Sequence, residues 1–313
     1  MFIDFEKWEG CLNDFIIVRF NEDPLILKSL IASAPKLCRR DGSAIGADGI
    51  ILIHETSVIR DTPDPRKITI INSDGSLAST CGNGIRCAAK SIYDHLTQIN
   101  KRNGPDYIEL LLQKQSVVCR VLKGKNVSEP LISVAMGIPT VNEDASFHTA
   151  AQAAVQNLAK EIGHPKLTND YGVCELSNNH IVFFLDNIDR DLLLKTGPKL
   201  QKSNGWDGIN VHLVRRKDMD IQDQERTQKI FGDDLEEIYE ALVWERGAGE
   251  TKACGSGACA IAAVSYENQA SSRSGWIAID MPGGRLYCRQ SEEGDEIVLA
   301  GPAQKTFTGK FEI

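Results

Sequence analysis

Two cysteines are each followed by the same glycine-rich step: Cys81 by Gly82, Asn83 and Gly84, and Cys254 by Gly255, Ser256 and Gly257. Each step leads into a run that reads as helix, Ile85 to His95 and Ala258 to Asn268. The glycines let the backbone turn tightly and approach a ligand closely. The first N–H groups of a helix lack internal partners and, with the helix dipole, favour negative charge. A thiol placed there is expected to ionise more readily than usual, and the same amides can hold a carboxylate. One thiolate and one thiol on opposite faces of an amino-acid α-carbon would remove one proton and deliver another, inverting the centre. Opposed helix starts would stabilise the carbanion formed on the way. Only a small fraction of an ordinary cysteine is ionised at neutral pH, so neighbours must tune the pair, and His180 and Glu245 are the candidates.

A lone Cys-Gly-x-Gly is usually a helix entry and no more. Here the pairing matters, because it belongs to a longer self-similarity. The motif that starts at Cys81 returns at Cys254. Asn13 before the apolar run Phe15 to Val18 corresponds to Asn178 before His180 to Phe184. Asp48, Gly49 and Ile50 correspond to Asp207, Gly208 and Ile209. Three landmarks in one order, at offsets that drift by no more than a short loop, point to a duplicated domain. A pseudo-twofold relation would set equivalent loops across a cleft between domains, where ligands commonly bind.

The elements that must carry these loops are a mixture. Asp14 to Phe20, Ile50 to Ile53, Lys67 to Ile71 and Trp276 to Asp280 read as strands. Asp23 and Pro24 open a helix running toward Cys38, and Ala150 to Ile162 reads as another, ending at Gly163. The class is mixed α/β (α+β). A chain of 313 residues exceeds the usual size of one core, so two domains are expected. The net charge of -8, with 35 basic residues interspersed among 43 acids, argues against nucleic-acid binding and leaves a small molecule as the default ligand.

The first ten residues lack the basic start and apolar centre of a signal peptide, and no apolar run reaches the roughly 18 residues of a membrane span, so a cytoplasmic location is expected. The cysteines number nine, an odd count that makes a disulfide framework improbable, and no Cys-x-x-Cys pair marks a zinc site. Cys11, Cys38, Cys87, Cys119, Cys174, Cys259 and Cys288 read as packing residues. His54, His95, His148, His164 and His212 show no charged or cysteine partner nearby in sequence and are given no role.

Between about Phe5 and Gly309 the sequence resembles the diaminopimelate epimerase family. The stretches that carry the resemblance are Gly10 to Phe15, Ile45 to Gly49, Asn72 to Ser76 with Cys81 to Gly84, Asn178 to His180, Asp207 to Asn210, Trp244 to Thr251 with Ala253 to Gly257, and Gly301 to Ala303. The resemblance implies two pseudo-symmetric domains, each a β half-barrel around a central helix, with the active site in the cleft between them. Their expected extents are 1–136 plus 302–313, carrying Cys81, and 137–301, carrying Cys254. It implies interconversion of LL- and meso-diaminopimelate, in lysine and peptidoglycan precursor biosynthesis, without pyridoxal phosphate or metal and usually by a homodimer.

By the same resemblance, Cys81 and Cys254 look like the acid/base residues. Gly82, Asn83, Gly255 and Ser256 look like the carboxylate cradle, and Asn13, Asn72, Asn178, Asn210, Glu245 and Arg246 like substrate-positioning residues. A guanidinium such as that of Arg246 suits a distal carboxylate. Three departures bear on substrate choice: Leu12 where the family usually has glycine, Asn179 where it usually has proline, and a long charged segment from Arg215 to Glu240 that reads as an added helix or mobile loop. A racemase for another amino acid such as histidine would keep both cysteines. A cysteine hydrolase using Cys254, or a silent binding protein on the same fold, are the alternatives from other classes.

Overall fold

Runs of β-branched and aromatic residues at the N-terminus form an antiparallel hairpin of β1 (Phe2–Gly10) and β2 (Asn13–Phe20). Cys11 and Leu12 make its two-residue turn with φ of 57° and 61°, the left-handed geometry that suits strand twist. Helix α1 (Pro24–Leu37) follows, capped by the Asp23 carboxylate, which accepts from the backbone N–H of Leu25 and Ile26. Leu30, Ala34 and Leu37 recur at helical spacing and are its buried face. This crossover brings β3 (Gly49–His54) parallel to β2, and β4 (Arg66–Asn72) returns antiparallel, with the short β5 (Leu77–Ala78) beside it.

After helix α2 (Gly82–Asn100), β6 (Tyr107–Leu111) lies parallel to β4, and β7 (Ser116–Leu122) and β8 (Leu131–Ala135) continue the meander. The C-terminal strand β18 (Gln304–Glu312) pairs antiparallel with β1. The resulting sheet, ordered 18-1-2-3-4-6-7-8, wraps α2. That helix is buried from Gly82 to Ser91 despite carrying Arg86 and Lys90.

The same plan recurs downstream. Its elements are β9 (Thr140–Val141), α3 (Ala145–Ile162), β10 (Tyr171–Leu176), β11 (Asn178–Phe184), α4 (Arg190–Gln201), β12 (Asn210–Lys217), α5 (Ile221–Phe231) and β13 (Leu235–Glu245). They continue with β14 (Gly249–Thr251), α6 (Gly255–Asn268), β15 (Trp276–Met281), β16 (Gly284–Gln290) and β17 (Ile297–Gly301). Strand order is 9-10-11-12-13-15-16-17, with parallel pairs again at the two crossovers. Helix α6 is apolar all round and lies against β10, β11, β12 and β16, as a wholly buried helix must be. Even the helical prolines recur, Pro35 near the end of α1 and Pro198 near the end of α4.

This computed structural model describes residues 1–55, 65–78, 80–100, 104–113, 115–124, 129–142, 145–203, 208–268, 275–291 and 294–313. The chain separates into two compact units, Met1–Val134 with Gly301–Ile313, and Ala135–Ala300. The mixed α+β class and the repeated sheet-around-helix plan agree with the sequence reading. The four expected strands fall in β2, β3, β4 and β15. The charged segment after Arg215 forms α5, where Asp220 and Asp223 make a reciprocal capping box and Gly232 ends the helix at φ 75°.

Three expectations need correction. The cysteine-loop helices begin at Gly82 and Gly255, inside the motif and not after it, and α3 begins at Ala145 and not Ala150. Helix α4 has no counterpart in the sequence reading, because Gly197 and Pro198 interrupt its pattern. Asp207, one of the repeat landmarks, lies outside the described residues. Among the described residues no helix is long and apolar enough to cross a membrane.

Candidate active site

In the first unit Cys81 precedes α2, and its carbonyl accepts the Ile85 amide at 2.8 Å, closing the first helical turn. The side chain is half-buried. Gly84 is pressed against Phe15 and Ile51, and a methyl group added to it would lie 3.5 Å from the Cys81 Sγ. Around this loop runs a directed hydrogen-bond chain. Arg86 Nη2 donates to Asn83 Oδ1 at 2.9 Å, Asn83 Nδ2 donates to Asn13 Oδ1 at 3.1 Å, and Asn13 Nδ2 donates to Asp48 Oδ2 at 2.6 Å.

A guanidinium only donates and a carboxylate only accepts, so the two ends fix the orientation of both amides between them. Asp48 also accepts from Arg40 at 2.8 Å. Arg40 continues to Asp14, which Lys7 reaches at 2.8 Å. Burial pushes the Asp14 carboxyl up, but hydrogen bonds from Arg40 and Lys7 outweigh it and hold the group below the usual range. Asn72 behaves differently from Asn13 and Asn83. Its Nδ2 donates to Ser76 Oγ at 2.9 Å inside the turn between β4 and β5.

In the second unit Cys254 is 4% exposed at the start of α6. Its Sγ accepts the Gly257 amide at 3.3 Å and lies 3.5 Å from the Ser256 hydroxyl. Burial, and then the Glu245 carboxylate beside it, push this thiol well above its ordinary value. The Ser256 and Gly257 contacts oppose that shift without reversing it. The expectation of a readily ionised thiol at both helix starts therefore fails for Cys254: dehydration and a neighbouring negative charge outweigh the helix terminus. Glu245 ends β13, and its Oε1 accepts from Thr251 Oγ1 at 2.5 Å across the β13–β14 hairpin.

Arg246 is held at both ends. Its backbone N–H donates to Asn210 Oδ1 at 2.8 Å, and its Nη2 donates to Asn178 Oδ1 at 3.0 Å. Its stem lies across Gly208, where a side chain would collide with it. Two residues expected at the site, Asn178 and Asn210, are thus brought together around a third, Arg246.

His180 tunes nothing by charge. It is fully buried, and its Nδ1 lies 2.9 Å from the Nε2 of His212. Burial pushes His180 down to about 3, and burial together with His180 pushes His212 well below its ordinary value, so both rings are neutral near pH 7. His212 has no role in the sequence reading, and its partner is this neutral ring and not a charged group or a cysteine. The His212 ring fills the space over Gly257 that any side chain would need. His54 likewise has partners, Glu22 and Thr69 at 3.0 and 2.9 Å. The cysteines read as packing residues are all buried. Burial raises Cys38 to about 11 and Cys119 and Cys174 to about 12, so these thiols stay protonated. Among the described residues no group of three His, Cys, Asp or Glu side chains is placed to hold a metal ion.

The profile of the diaminopimelate epimerase family matches residues 5–128 and 173–306. The chain belongs to the diaminopimelate epimerase family. A diaminopimelate epimerase from Bacillus licheniformis is 32% identical over 99% of this chain and 98% of its own length. One from Leptospira biflexa is 29% identical with full coverage of both chains. Solved structures share the fold at low identity. A PhzF-family phenazine biosynthesis protein from Bacillus anthracis gives a TM-score of 0.63 at 11% identity over all of both chains. A hydroxyproline epimerase from Agrobacterium vitis gives 0.59 at 9% identity over 99% of this chain and 91% of that one.

The chain is accordingly an isomerase, and its departures from the diaminopimelate epimerase pattern can be placed. Leu12 takes the left-handed turn position with 59% of its surface exposed, where glycine would sit without strain. Asn179 pairs with Glu175 across β10 and β11, next to His180 and so on the opposite face of the strand. Sequence reasoning missed Arg86, Asp48 and Thr251. A basic residue on a helix normally reads as solvent-facing, and contacts between distant segments, as between Asn13 and Asp48, leave no local pattern.

Proposed function

We propose that this protein interconverts LL- and meso-2,6-diaminopimelate by two-base proton transfer between Cys81 and Cys254. What supports the reading most is the repeated cysteine helix start, one in each unit, in a chain whose relatives are diaminopimelate epimerases. One thiolate takes the α-hydrogen and becomes a thiol, and the electron pair left on carbon spreads into the α-carboxylate. Amides at a helix start hold that carboxylate as its charge grows. The other thiol then delivers its proton to the opposite face and is left as thiolate, so the pair exchanges states with each turnover.

When the proton comes from Cys254, Glu245 is suited to hold the thiol in place, because it accepts a hydrogen bond from that sulfur. Arg246, already oriented by Asn178, is the group for a distal carboxylate. Incubation in heavy water without added cofactor is expected to replace the α-hydrogen of diaminopimelate by deuterium, read by proton NMR. Histidine, glutamate, lysine and proline serve as the comparison panel. Cys81→Ala and Cys254→Ala are each expected to slow inversion at least about a hundredfold. Either variant working at the wild-type rate would end the two-thiol mechanism.

A further inference from the structure

The two halves differ in charge at matching positions. Counting from each cysteine, Arg86 in the first unit corresponds to Cys259 in the second, five residues on. Nine residues before each cysteine, Asn72 corresponds to Glu245, and these residues end β4 and β13 respectively. Both exchanges make the surroundings of Cys81 more positive than those of Cys254.

Arg86 is unusual in its own right. It is 0% exposed, and among the described residues its Nε and Nη1 have no hydrogen-bond partner, while the guanidinium also makes a side-chain hydrogen bond with Cys11. The bond from its Nη2 to Asn83 folds the guanidinium back toward the start of α2. A methyl group on Gly10 would lie 3.5 Å from that Nη2 and 3.4 Å from Cys87 Sγ, which places the cation against the end of β1. The groups facing it are neutral thiols, Cys11 on the hairpin, Cys87 on α2 and Cys119 on β7, with Glu9 the carboxylate acting on the same cluster. Among the described residues Asp48 is linked to Arg86 through Asn83 and Asn13. A buried cation is unfavourable without a counter-charge, and here it lies toward the positive end of a helix dipole. Cys81 immediately precedes α2 and Arg86 lies in its second turn, and both act on Cys87 together with Glu9 and Cys11.

We infer that Arg86 is a positioning residue that holds Cys81 as the thiolate in the resting protein, while Cys254 keeps its proton. The Cys81 sulfur then supplies the cation with a nearby counter-charge beside that of Glu9. Substrate meets a pair already set as one base and one acid, and either epimer must first bind with its α-hydrogen toward Cys81 or wait for the less populated reverse state. The catalytic meaning rests on the two-thiol reading; the measurement does not.

The test is alkylation of the full-length protein by iodoacetamide between pH 5 and 10, with each cysteine followed by peptide mass spectrometry. Cys81 is expected to react with a midpoint at least about one unit below the ordinary thiol value of about 8.5, and Cys254 to stay slow until well above it. Arg86→Met should raise the Cys81 midpoint by about one unit or more, a tenfold slower reaction at pH 7, with the Cys254 profile unchanged. Arg86→Lys, which keeps the charge, should restore the low midpoint. A wild-type Cys81 midpoint at or above about 8.5 overturns the inference with no variant needed, and so does a folded Arg86→Met protein with the wild-type profile. Failure of deuterium exchange would strike the epimerase reading alone, because alkylation requires no substrate.

Discussion

The Cys81 and Cys254 halves share strand order, helix start and spacing, yet they surround the cysteine sulfur differently. Around Cys81 the polar groups form a wired chain from Arg86 to Asp48, and the sulfur remains half-buried. Around Cys254 the sulfur is sealed in, backed by a neutral histidine pair and flanked by a carboxylate. Duplication supplied two equal scaffolds. Differences at a few positions, Arg86 against Cys259 and Asn72 against Glu245, then set the two halves apart in charge. A common backbone therefore does not imply a common electrostatic setting.

The strongest way to break this comparison is at the equivalent motif glycines. In Gly257→Ala the new methyl group falls on the His212 ring, which His180 holds in place, and the expected loss of stability is about 3 kcal/mol. In Gly84→Ala the nearest atom is Ile51 Cδ1 at 3.2 Å, the mobile end of a side chain. That variant should stay within about 1 kcal/mol of wild type, helped by the better helix propensity of alanine. Urea unfolding of the two proteins measures the difference, and equal losses would contradict the account of His212.

Acid should separate the halves next. His180 is held down to about 3 in the folded protein, against about 6.5 when unfolded. Over that window the unfolded chain binds the extra proton, so the stability present above about pH 6.5 is lost as pH falls toward 3. His212 shifts in the same direction, and each ring contributes a slope of up to about 1.4 kcal/mol per pH unit. Hydrogen exchange at pH 5 should show β11 and β12 losing protection before β2 and β3. Uniform protection at that pH would mean the rings are solvated or partnered differently.

A smaller change sharpens the same contrast. Glu245→Gln removes the negative charge beside Cys254 and should lower its alkylation midpoint by about one unit, with Cys81 unaffected. Burial remains the larger cause of the shift, so Cys254 should still titrate above an ordinary thiol. The smallest effect is at the hairpin: Leu12→Gly relieves a left-handed residue with little loss of burial and should stabilise the protein by about 1 kcal/mol. Thermal unfolding would register it.

Much of this is legible in the sequence, and the failures have a common cause. The strands carried by Phe15 to Val18 and Ile50 to Ile53 are readable because unbroken apolar runs leave few alternatives. The two cysteine motifs are readable because glycine spacing is local, as is the Asp23 cap. The His180–His212 contact is not. It depends on β11 and β12 being parallel neighbours in a register that sets His180 against Asn210, which puts His212 two residues on, on the same face. Arg86 is easily misjudged because helical periodicity cannot show that α2 is enclosed on all sides. Glu245 is named from sequence as a group that tunes the thiols; its negative charge raises the Cys254 thiol, and the burial that strengthens this effect is visible only in the packed structure.

Strand β18 has a consequence for how the chain comes off the ribosome. The unit whose larger part is synthesised earlier stays incomplete until Gly301–Ile313 follows the other unit. Until then β1 offers a bare row of backbone donors and acceptors on the side that β18 will cover. The later segment, Ala135–Ala300, is contiguous and can close on itself first. Folding during translation would then run against the order of synthesis, and the nascent N-terminal sheet would be the portion most exposed to mispairing and most in need of a chaperone.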